Sequence, residues 1–96
     1  MDIKKEIDGN TTSLKISGRL DTITAPELEK ELHSINADKL IIDCAELEYI
    51  SSAGLRILLS AHKEYSKKGG MEIHHVSSLV MDIFDVTGFK DILNFR

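Results

Sequence analysis

Hydrophobic residues recur with two different periods along the 96-residue chain, and the changes of period divide it into elements. Residues 2–7 carry Ile3 and Ile7 among charged neighbours, and beyond Asp8-Gly9-Asn10 the residues Leu14 and Ile16 alternate with Ser13, Lys15 and Ser17. Alternation on both sides of a short polar turn predicts a β-hairpin with one buried face. Gly18-Arg19-Leu20-Asp21 then leads into Thr24-Ala25-Pro26-Glu27, which reads as a Thr-x-x-Glu capping box with proline in the first helical turn, where its missing N–H costs little. Ala25, Leu28, Leu32 and Ile35 fall along one face of the helix that follows.

Leu40-Ile41-Ile42 is apolar without interruption, the pattern of a central strand covered on both faces, and residues 43–50 read as a loop. The period then lengthens. Leu55, Leu58, Leu59, His62 and Tyr65 make the stripe of the longest helix, residues 53–66, which Gly69-Gly70 ends. Residues 71–76 read as a strand, Ser77 as the cap of a short helix with Leu79, Val80, Ile83 and Phe84, and Gly88 as its stop. Residues 92–95 read as a last edge strand. The order β-β-α-β-α-β-α-β predicts one α/β domain over residues 1–96, a mixed β-sheet with helices packed on it.

Composition narrows what such a domain can do. An apolar fraction of 42% supports a core, and 29% charged residues give a well-solvated surface. The net charge is −4 and the basic residues are scattered, which argues against nucleic acid as a partner. Cys44 is the one cysteine, so no internal disulfide forms, and its apolar surroundings point to packing. With no signal-like N-terminus and no apolar run of about 18 residues, the expected location is the cytoplasm, off the membrane.

Enzyme signatures are missing where they would have to stand. A Gly-x-Ser-x-Gly elbow fails because Ile50 occupies the place a glycine would need. His33, His62, His74 and His75 lack zinc spacing, and neither phosphate-cradling glycine motif occurs, so no metal and no cofactor is expected. His62, on the helix stripe, reads as a partly buried core residue.

The start of the long helix is the place where chemistry is expected. Ser51 and Ser52 precede the stripe, and the N-cap is assigned to Ser52, with Ser51 as second choice. A capping serine accepts a hydrogen bond from a first-turn N–H and stabilises the helix by about 1 kcal/mol. The same N–H groups and the positive end of the helix dipole also suit a phosphate. A phosphoserine here is therefore compatible with the fold, and its effect would fall on a partner matched to a neutral hydroxyl. Weakening that contact by ~3–5 kcal/mol lowers affinity roughly 10²- to 10⁴-fold. Ala53 and Gly54 are small and are expected to leave the backbone open to a docking protein.

Gly18-Arg19-Leu20-Asp21, Leu40-Ile41-Ile42-Asp43 and Tyr49-Ile50-Ser51-Ser52-Ala53-Gly54-Leu55 together resemble the STAS domain, the sulfate transporter and anti-sigma-factor antagonist family, over essentially the whole chain. The resemblance implies an anti-sigma-factor antagonist that works by partner switching. Such a protein binds an anti-sigma factor with serine kinase activity, is released when that kinase phosphorylates it, and is reset by a serine phosphatase; ATP belongs to the partner. The acceptor serine maps onto Ser52, with Ser51, where the best-known members often carry Asp, as second choice. The family acid maps onto Asp21. The implied partner surface comprises Asp21, Thr22, Ser51, Ser52, Ala53, Gly54 and Arg56. The alternative use of the same domain is as a structural subunit of a stress-sensing or lipid-transport assembly, with the serine only capping its helix.

Overall fold

The computed structural model describes residues 1–96. Its elements are β1 (Asp2–Asp8), β2 (Thr11–Leu20), α1 (Ala25–His33), β3 (Lys39–Ile50), α2 (Ser52–Tyr65), β4 (Gly70–His74) and α3 (Ser78–Val86), followed by a 3₁₀ turn at Phe89–Asp91. The strands lie in the order β1-β2-β3-β4; β1 and β2 form the expected antiparallel hairpin, and the other pairs are parallel. The α/β reading of the periodicity holds. The edge strand expected over residues 92–95 is a single parallel bridge between Phe95 and Ile73.

Crossovers between parallel strands are right-handed almost without exception, and for strands in sequential order that rule places α1 and α2 on the same face of the sheet. Burial agrees: Leu14, Ile16, Leu40 and Ile42 from the strands share one apolar cluster with Leu28, Leu58, Val80 and Phe84 from the helices. The opposite face is polar and partly exposed, with Ser13, Lys15, Asp43 and Glu72 on it. Ile41 lies there half-exposed, so the Leu40-Ile41-Ile42 run belongs to a strand covered on one face only, contrary to the expectation of two.

Residues 43–50 are not a loop. They are the second half of β3, which spans 12 residues against 10 in β2. Two register shifts, between Lys15 and Ser17 and between Gly18 and Arg19, accommodate the extra residues on β3. Each bulge resets the alternation, so the buried positions Cys44, Leu47 and Ile50 come three apart and conceal the strand period. The extension carries β2 and β3 together to Leu20 and Ile50, which pair.

Candidate functional site

Where these two strands end, the chain leaves β2 through a tight turn and β3 directly into α2. The ends are tied by the Ser51 N–H donating to the Leu20 carbonyl at 2.9 Å. Ser51 keeps extended backbone angles (φ −99°, ψ 174°), its hydroxyl accepts from the Gly54 N–H at 3.4 Å, and its carbonyl accepts from Leu55. Ser51 is thus the N-cap, and the assignment of that role to Ser52 is corrected. Counting back from Leu55 sets the boundary one residue late, because the first turn, residues 52–54, has no large apolar side chain to mark it.

Ser52 is the first helical residue. It is exposed, and its hydroxyl makes no hydrogen bond within the chain. Ala53 beside it is half-buried, and Arg56, one turn on, is exposed. Gly54 is buried, contrary to the open backbone expected there. A Cβ at this position would stand 2.7 Å from Leu20 Cγ and 2.9 Å from Ile50 Cγ1, so glycine is what lets α2 start directly against the strand ends.

The turn after β2 is held from within. Asp21 Oδ1 accepts from the Ile23 N–H at 3.0 Å and the Thr24 N–H at 3.1 Å, while the Asp21 carbonyl accepts from Ala25 at 2.8 Å. The Thr24 hydroxyl donates to the Arg19 carbonyl at 2.7 Å and accepts from the Asp21 N–H at 2.9 Å. The expected Thr24 capping box is therefore not formed. Thr24 has helical angles and no side-chain cap bond, and the unpaired N–H groups at this helix entrance are met by Asp21 instead. Those bonds, the Thr24 N–H foremost, hold the Asp21 carboxyl below its ordinary range, with Arg19 adding a smaller attraction. Arg19 is itself placed over the Tyr49 ring, 4.3 Å from its centroid, bracing β2 on β3.

The structure thus brings Asp21, Thr22, Ser51 and Ser52 to one end of the sheet, with Ala53, Gly54 and Arg56 in the first turns of α2. Sequence reasoning did not single out Ile23. It is 85% exposed at the tip of the Asp21 turn, and its signal was an aliphatic residue among Asp21, Thr22 and Thr24 where turns favour polar groups. Neither concavity of the molecule adjoins these residues: a cleft of about 30 Å³ between α1 and α2, lined by Glu29, His33, Ser60 and Tyr65, has room for little more than a water, and a wider open one of about 340 Å³ lies on the polar sheet face among Lys4, Glu6, Ser13, Lys15 and Asp43. No group of three or more His, Cys, Asp and Glu side chains is placed to hold a metal ion. An exposed and shallow surface of this kind suits a protein partner.

Comparison with known proteins agrees with this geometry. The family model described as the STAS domain matches residues 2–96. The chain is 31% identical over 98 residues to the anti-sigma-B factor antagonist of Bacillus subtilis (strain 168), an alignment covering 98% of this chain and 87% of that protein. Among solved structures, an anti-sigma factor antagonist from Mycobacterium paratuberculosis has the same fold, with a TM-score of 0.89 at 22% identity over 99% of this chain and 84% of that one. The Bacillus cell fate determinant SpoIIAA in its phosphorylated form also shares the fold, with a TM-score of 0.75 at 15% identity over 99% of this chain and 91% of that one. The fold, the serine pair at the head of α2 and these relatives together make the chain a member of the STAS domain family of anti-sigma-factor antagonists.

Proposed function

We propose that this chain antagonises an anti-sigma factor by partner switching in the cytoplasm, and that Ser52 is its switch. Unphosphorylated, it binds an anti-sigma factor with serine kinase activity and so frees the sigma factor for transcription. Phosphorylation of Ser52 by that kinase ends the binding, and a serine phosphatase restores it.

One observation carries the choice of Ser52. The capping bond belongs to Ser51, which leaves the Ser52 hydroxyl exposed and without a structural task. A kinase can reach it without opening the helix. A phosphate there would sit on the first turn of α2, where free N–H groups and the helix dipole favour an anion, so the added charge acts on the partner and spares the fold. That SpoIIAA, which shares the fold, was solved in a phosphorylated form is consistent with this economy.

The test incubates the chain with an anti-sigma serine kinase and ATP, and locates the phosphate by mass spectrometry. The expected site is Ser52. Ser52→Ala should stay bound to that kinase when ATP is present, whereas Ser52→Asp should bind weakly; equal affinity of the two variants would overturn the switch.

A further inference from the structure

Ile23 is the most exposed large apolar side chain in the molecule, and it is not on a loose loop. Its own N–H is bonded to Asp21 Oδ1, the next residue's N–H goes to the same oxygen, and the Thr24 hydroxyl ties the turn back to Arg19. An isolated surface isoleucine needs no explanation in general. Here it stands at the tip of an otherwise polar turn whose conformation is fixed by five hydrogen bonds around Asp21 and Thr24. That turn adjoins the head of α2 through the Ser51 to Leu20 bond. With the backbone held, only the stiff β-branched side chain of Ile23 has freedom left to lose on binding, a property that suits an interface anchor.

From this geometry we infer that Ile23 is the apolar anchor by which the chain seats in a hydrophobic pocket of its anti-sigma kinase, and that Asp21 is a positioning residue that sets the turn presenting it. The inference rests on the partner-switching reading. It assigns the two sides of one surface different tasks: the Asp21 turn supplies affinity through Ile23, and the head of α2 supplies control through Ser52. It also gives Asp21 a role that requires no contact with the partner, since its carboxylate oxygen is engaged by the turn's own N–H groups.

The experiment is calorimetric titration of the unphosphorylated chain with the kinase that modifies it. Burying one isoleucine predicts that Ile23→Ser loses about 10- to 100-fold in affinity with an unchanged melting temperature, and that Ile23→Leu retains most of it. Asp21→Ala should lose affinity when Ile23 is present and change little when Ile23 is already serine, because its effect passes through that side chain. Losses that multiply would show that Asp21 meets the partner directly and would overturn its positioning role. Ile23→Ser binding within about twofold of the parent, while Ser52→Asp still weakens binding, would overturn the anchor and leave the switch intact. A parent chain that binds no anti-sigma kinase overturns both.

Discussion

Two serine pairs open helices in this chain, Ser51-Ser52 at α2 and Ser77-Ser78 at α3, and locally they are near twins. In each, the first serine is extended and caps the N–H three residues on, at 3.4 Å to Gly54 and 3.2 Å to Val80. In each, the second serine is the first helical residue and is exposed. An anion-tolerant helix start is therefore present twice, and it cannot by itself mark a site.

The surroundings differ. Ser51 follows a long strand, its N–H is bonded to the end of a neighbouring strand, and its helix is drawn in over Gly54 until that residue touches Leu20 and Ile50. The Asp21 turn stands alongside. Ser77 follows a five-residue strand and a bend at His75, which takes a positive φ of 60°, and the residue it caps is Val80, whose side chain fills the core. The first pair stands beside a second structured segment with which it can form a composite surface. What distinguishes the two is tertiary.

That contrast can be broken experimentally. The largest effect expected is on binding: Ser52→Asp should weaken association with the anti-sigma kinase roughly 10²- to 10⁴-fold, while Ser78→Asp should leave it unchanged. Equal losses in a titration would mean that the pairs are equivalent. Next comes packing. Gly54→Ala places a methyl against Leu20 and Ile50 and should destabilise by about 1–3 kcal/mol, read as a fall in melting temperature of about 4–8 °C per kcal/mol. A melting curve matching the parent would show that α2 can move away from the strands.

Capping gives a smaller effect. Ser51→Ala and Ser77→Ala should each cost about 1 kcal/mol in urea denaturation, the longer bond of Ser51 placing it at the weaker end, whereas Ser52→Ala should be neutral. A Ser52→Ala loss equal to that of Ser51→Ala would reverse the cap assignment.

The smallest effect is pH-dependent and confined to the Asp21 turn. The carboxyl is held below its ordinary value of 3.8, chiefly by the Thr24 N–H, so its contribution is complete above that pH and fades as pH falls through the depressed value. Amide resonances of Ile23 and Thr24 should therefore titrate together only in that acidic window, leaving Val80 at the head of α3 unmoved. A midpoint at or above the ordinary value would mean that the turn does not hold the carboxylate.

Much of the fold could be read from local pattern because its elements obey local rules. The hairpin follows from alternation around a polar turn, and α3 is capped by Ser77 and followed by Gly88, with φ 81°, as its cap and stop residues indicate. The serine pair itself was legible from the helix stripe it precedes. The second half of β3 was not, because two bulges replace a period of two by buried residues three apart, and a bulge is a relation to the neighbouring strand. Asp21 could be picked out only through family resemblance, and its work on the Thr24 N–H became visible with the turn in place.

The amino-acid sequence alone determined the three helices, the hairpin and the first half of β3, that one domain was to be expected, and that a polar, anion-tolerant helix start lies at residues 51–52, since these depend on neighbours a few residues away. Tertiary structure decided which serine caps and why residue 54 is glycine. Those answers depend on Leu20 and Ile50, which are 30 residues apart along the chain and which the pairing of β2 with β3 brings to one place.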